Sequence, residues 1–183
     1  MKTLIFSLVL ACTALAASAA EFRLGSPDIA PGGAIANKFV YKGFGCSGDN
    51  ISPSLSWSGA PASTKSFALL VHDADAPTGG AGWWHWVVYN IPASATKIAQ
   101  GAGTADGAGL PAGSVQGRTD FGSPGWGGPC PPVGHGKHHY RFTLHALKVE
   151  KLEIPDGATA ALIGYVVNDN SIATARLLGL YGR

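Results

Sequence analysis

The segment Ser66-Phe-Ala-Leu-Leu-Val-His-Asp73 constrains the fold of this chain more than any other. Alternate side chains of a strand share a face, so Phe67, Leu69 and Val71 make one apolar row, which Asp73 closes with a carboxylate. Two other segments follow the same plan. His85 shares parity with Val87, Tyr89 and Ile91, and His138 with Tyr140, Phe142 and Leu144. A sheet that gathers these strand ends brings Asp73, Asp75, His85, His138 and the Tyr140 phenol to one rim. A carboxylate that continues an apolar face must find hydrogen-bond partners, and His85 is the expected partner of Asp73. That pairing would fix the imidazole tautomer, raise its pKa and aim the second ring nitrogen at a ligand.

Alternation, β-branched and aromatic content and bounding Gly, Pro or Asn predict strands at 22–26, 36–41, 54–58, 66–73, 84–90, 140–148 and 173–180. One helix is expected after Pro155-Asp156, capped by Asp156 and running to about Asn168, with Leu162, Ile163, Val166 and Val167 inward. With 26 Gly, 12 Pro and only 13% charged residues in 183, short strands joined by tight turns are favoured over a helical bundle. Residues 101–132 are Gly-rich with almost no strand pattern. A connector of that length in a small domain is usually functional or disordered. No repeat or second composition regime interrupts the chain, so one β-rich domain is expected.

The first twenty residues read as a secretory signal peptide. Met1-Lys-Thr is a short basic start, residues 4–17 are apolar, and Ala17-Ser-Ala19 or Ser18-Ala-Ala20 offers a cleavage site. A lipoprotein signal ending at Cys12 is the rival, weakened by the bulky Leu10 and by the apolar run continuing past Cys12. The mature domain would then be residues 21–183, periplasmic or secreted, with no later stretch long enough to span a bilayer. Removing Lys2 from the 13 basic residues leaves 12 against 11 acidic ones, with no basic run to suggest nucleic acid. Cleavage also leaves Cys46 and Cys130. An even count in an oxidising compartment favours a disulfide over two buried thiols or a reactive Cys130.

Four motifs carry a family resemblance: Gly43-Phe-Gly-Cys-Ser-Gly-Asp-Asn-Ile-Ser-Pro-Ser-Leu-Ser-Trp57, Asp73-Ala-Asp-Ala-Pro77 with His85-Trp-Val-Val-Tyr-Asn-Ile-Pro92, Ala112-Gly-Ser-Val-Gln-Gly-Arg-Thr-Asp-Phe-Gly122, and Gly128-Pro-Cys-Pro-Pro132 through His138-His-Tyr140. In this order they resemble the phosphatidylethanolamine-binding protein family, in its bacterial Raf-kinase-inhibitor-like branch and the exported type within it. The likeness runs from about Phe22 to Tyr181. It implies a mainly β fold, a two-sheet antiparallel Greek-key-like sandwich with one C-terminal helix and peripheral loops. It also implies a small anion pocket lined by Asp73, Asp75, His85, Pro132, His138 and Tyr140, with Gly128–Pro132, including Cys130, as a wall offering backbone donors and Trp126 shaping the mouth.

The chemistry suits a phosphate-bearing ligand or phospholipid head group: protonated imidazoles and a phenol donate to its oxygens, and the carboxylates orient the rings or accept from an ammonium. Two carboxylates repel a dianion, so monoanions and zwitterions are favoured. His72, His139 and His145 read as structural histidines, His135 as solvent-exposed or a stray metal contact, and Asp75 equally well as a turn residue. A non-enzymatic binding protein without cofactor leads. The other readings are a hydrolase using His85 or His138 with Asp73, a metal site on His85, His138, Asp73 and Asp75, and an extracellular interaction module with a vestigial pocket. The hydrolase lacks a recognisable nucleophile, because Ser52, Ser54 and Ser56 have no triad context. No metal-ligand spacing is present. A protein partner and a homodimer stay open, and no kinase role is carried over.

Overall fold

The computed structural model describes residues 21–183. The signal-peptide reading and the alternative lipidation site at Cys12 lie outside the described residues. Among the described residues eleven strands and one α-helix follow one another. The first half holds β1 (Arg23–Gly25), β2 (Gly33–Ala34), β3 (Lys42–Gly43), β4 (Cys46–Ser47) and β5 (Leu55–Ser58). The long strands β6 (Ser66–Asp73) and β7 (Trp83–Pro92) come next, then the short β8 (Lys97–Ile98) and β9 (Val115–Gln116). The chain finishes with β10 (His138–Leu147), α1 (Ala160–Asn170) and β11 (Ser171–Tyr181).

Six strands form the main sheet in the order β2-β11-β10-β6-β7-β9, antiparallel except for β2 against β11. A second sheet, β1-β5-β8, lies over one of its faces. Leu24, Leu55, Trp57 and Ile98 from the small sheet meet Phe67, Leu69, Val71, Phe142 and Leu144 from the large one in the principal core. The period-two rows expected for residues 66–73 and 138–144 are therefore the inward rows. On the opposite face α1 buries Ile163 and Val167 against Ala68, Leu70, Val87 and Leu147. Each side chain of this kind stabilises the fold by about 1.5–3 kcal/mol on full burial.

Three sequence expectations shift. Residues 36–41 are not a strand: Asn37–Phe39 forms a 3-10 turn, and Tyr41 N–H bonds to the Pro129 carbonyl of a distant loop. The helix starts at Ala160, capped by the Thr159 hydroxyl accepting from Leu162 N–H, rather than at Asp156. Gly157 at φ +72° turns the chain between those two positions. Leu162 points outward, 42% exposed, while Ile163 and Val167 face the sheet. The Gly-rich segment packs into the fold, burying Ala102 and Trp126 in the principal core.

Candidate functional site

β7 is irregular where it matters. Val71 pairs with Trp86 but His72 pairs with Trp84, so His85 is an extra residue with no opposite number on β6. Such a bulge rotates the strand by one residue. Val87 and Tyr89, which share parity with His85, pack on the helix side of the sheet, whereas His85 turns to the other face beside Trp86. A second irregularity, with Asn90 at φ +56°, returns Ile91 to the principal core. Simple alternation put His85, Val87, Tyr89 and Ile91 in one row. The bulges break that row and aim His85 into a cavity.

His85 is buried, and its Nδ1 donates to the Gly127 carbonyl at 2.6 Å. Burial is the dominant influence on the ring and brings its pKa down to about 4, against the opposing pull of that bond and of Asp73. At neutral pH His85 is therefore uncharged with its proton on Nδ1, and Nε2 is a lone-pair acceptor. This corrects both the expected pairing with Asp73 and the expected protonated donor.

Asp73 instead accepts from His138 Nδ1 at 2.7 Å, both side chains being buried. Register explains the choice: Asp73 lies opposite Tyr140, and His138 is two residues away on the same face of the adjoining strand. The second oxygen of Asp73 accepts Asp75 N–H at 2.9 Å, so both oxygens are engaged inside the protein. Asp75 faces away and accepts from the backbone and ring nitrogens of His139 at 2.8 and 2.7 Å. Partial burial opposes ionisation of Asp75, yet the His139 bonds outweigh it and hold the carboxyl below its ordinary range. His139, read as a structural histidine, thus pins the Asp73–Pro77 turn from outside.

Asp73, His85, His138 and Tyr140 surround a cavity of about 310 Å³ with Cys130, Pro132 and a further set of residues. The Tyr140 hydroxyl is fully buried and, among the described residues, has no hydrogen-bond partner. Burial, then the charge of Asp73, pushes its pKa far above the ordinary phenol value, so it stays a donor. Two expected residues are elsewhere. Asp75 is not part of the lining. Trp126 is 4% exposed beneath the site, where it stacks on Phe142 and donates to the Phe39 carbonyl.

The wall also differs from expectation. Three of the five residues Gly128–Pro132 are prolines without N–H, and Gly128 N–H is taken by Asn50 Oδ1 at 2.8 Å. Only Cys130 has an uncommitted backbone donor there, so the wall is mainly apolar. Cys130 is bridged to Cys46, 84 residues away, as the cysteine count predicts. The bridge holds the β3–β4 hairpin against the wall, and Arg183 braces both through Pro131 and Gly45 carbonyls.

The residues that sequence reading missed form the mouth: Phe44, Trp83, Phe121, Pro77 and Thr78. Phe44 sits at the hairpin tip, 69% exposed, in the left-handed region at φ +52°. Its ring stacks on Phe121 with centroids 6.0 Å apart, and Phe121 packs edge-on to Trp83 and His85. The flanking Gly43 and Gly45 were the available signal, since an aromatic between glycines is a presented side chain. Among the described residues no group of three or more His, Cys, Asp or Glu is gathered as a metal site.

A sequence model described as phosphatidylethanolamine-binding protein matches residues 25–182. The UPF0098 protein YbcL of Escherichia coli is 52% identical over 181 residues, covering 99% of this chain and 98% of its own. The UPF0098 protein YbhB of the same organism is 44% identical over 159 residues, 87% of this chain and 99% of its own. The crystal structure of YbcL, described as a new member of the mammalian PEBP family, superposes with a TM-score of 0.86 over 90% of this chain and 99% of that one.

Proposed function

The chain belongs to the phosphatidylethanolamine-binding protein family, and from that premise we propose that it is an exported, non-enzymatic binding protein for a small phosphate-bearing monoanion, such as a phosphorylated head group. The observation that carries this reading is the buried, unpartnered Tyr140 hydroxyl beside the cavity. A buried donor without an acceptor costs roughly 1–3 kcal/mol, and an anionic oxygen in the cavity recovers that loss. His138, held by Asp73, and Cys130 N–H are the other candidate contacts. Neutral His85 adds a selection rule: its Nε2 needs a donor, which a protonated phosphate oxygen or a head-group ammonium supplies. The Cys46–Cys130 bridge supports export, because disulfides persist in oxidising compartments.

The test is calorimetric titration of phosphoethanolamine into wild type, Tyr140→Phe, His138→Ala and Asp73→Asn. Each variant should lose about 1–3 kcal/mol of binding. Unchanged affinity in Tyr140→Phe would remove the central support. The hydrolase reading keeps the Asp73–His138 pair as a general base. However, Thr78 is the one alcohol on the lining, and its hydroxyl bonds to the Gly82 carbonyl at 3.0 Å. A phosphodiesterase assay on the wild type addresses that reading directly.

A further inference from the structure

The helix covers only part of the outer face of the main sheet. Beyond it β6, β10 and β11 floor an open groove of about 650 Å³, on the far side of the sheet from the cavity around Tyr140. Arg141 and Arg176 both line it. Arg141 pairs with Leu178 and Thr143 with Arg176, so the two arginines are diagonal neighbours on one face of adjoining strands. Among the described residues neither makes an ion pair, and neither guanidinium has a hydrogen-bond partner. No carboxylate lines the groove.

Two neighbouring like charges on a sheet destabilise it slightly. In a chain with 11 acidic residues and only 13% charged residues overall, an uncompensated arginine pair is informative. The pair also borders an aromatic wall: the Trp84 indole lies against the His72 ring with centroids 4.2 Å apart and planes tilted by 44°, while Leu178 flanks Arg141 on its other side. A guanidinium pair matches the two-oxygen fork of a carboxylate or phosphate, and the volume is that of a small-molecule site.

We propose that this groove is a second, independent binding site for a small organic anion with an apolar or aromatic body. Its oxyanion is held by Arg141 and Arg176, with Thr143 as an added donor, and its body rests against the Trp84–His72 wall. Charge complementarity selects the anion, and the aromatic wall selects the body.

The test is an NMR titration of isotope-labelled protein with phenyl phosphate, following backbone amides of both regions. Two separable sets of shifts should appear, one at Arg141, Thr143 and Leu178 and one at His85 and Tyr140. In the Arg141→Gln/Arg176→Gln variant the first set should weaken at least tenfold while the second is unchanged; Tyr140→Phe should do the reverse. An Arg141→Lys/Arg176→Lys variant should recover part of the affinity, since charge returns without the planar fork. Absence of the first set, or its survival in the double Gln variant with native amide spectra, overturns the groove site. Loss of the second set alone instead bears on the cavity.

Discussion

His85 and His138 look alike in the sequence and differ in chemistry. His138 donates a hydrogen bond from Nδ1 to a buried carboxylate, while His85 donates from Nδ1 to a carbonyl and is kept uncharged by burial. A phosphomonoester with a second pKa of about 6 carries a proton below that pH, and that proton can be donated to His85 Nε2. Monoester affinity should therefore rise as pH falls from 7.5 to 5.5, while a phosphodiester loses or gains less; parallel calorimetric titrations of phosphoethanolamine and glycerophosphoethanolamine read the difference. Equal pH profiles for both ligands would contradict the acceptor role. Tyr140 makes a second residue-scale case. Removing its buried unpartnered hydroxyl should leave the unliganded fold as stable or up to about 1 kcal/mol more stable, while binding weakens. Urea unfolding of Tyr140→Phe checks the first half.

At the scale of elements, the cavity wall depends on a loop that could not stand alone. Gly128 lies so close to the 3-10 turn that a Cβ there would run into the Phe39 carbonyl oxygen, itself backbone and unable to swing away. Gly128→Ala should consequently displace the whole Pro129–Pro132 wall and destabilise the protein by about 1–3 kcal/mol, measured by denaturant midpoint. The β3–β4 hairpin contributes the other side. Closing an 84-residue separation by Cys46–Cys130 stabilises by about 4–5 kcal/mol in the entropic model. The Cys46→Ala/Cys130→Ala variant should lose about 2–5 kcal/mol of stability and, with Phe44 no longer tied to the wall, bind phosphoethanolamine more weakly. Thermal melts and calorimetry on the same sample report both effects.

At the scale of the whole molecule, the main sheet buries one uncharged histidine on each face. Burial is the leading cause for both, and it brings His85 and His145 to about 4, with Arg176 adding to the effect at His145. In the unfolded chain each ring takes its proton near 6.5, so between that pH and about 4 the unfolded state binds more protons. Their contribution is full above 6.5 and is lost as pH falls through this window. A fall of this size corresponds to roughly 3 kcal/mol for a fully buried ring. Unfolding free energies measured from pH 7 to 4 should decline, and a His145→Gln variant should decline less steeply; a flat profile would contradict neutral burial. The sequence by itself determined the β-rich architecture, the inward rows of β6 and β10, the disulfide and the ionisable residues around the cavity. Those follow from local alternation, cysteine parity and motifs, which are properties of neighbours along the chain. It did not determine which imidazole meets Asp73, that Asp75 turns outward to His139, that Trp126 lies beneath the cavity, or that Phe44 and Phe121 frame its mouth. Those depend on strand register, on a one-residue bulge at His85 and on loops that cross the sheet from distant parts of the chain. Each of these is set by packing between segments that no period-two pattern relates, so only the tertiary structure could decide them.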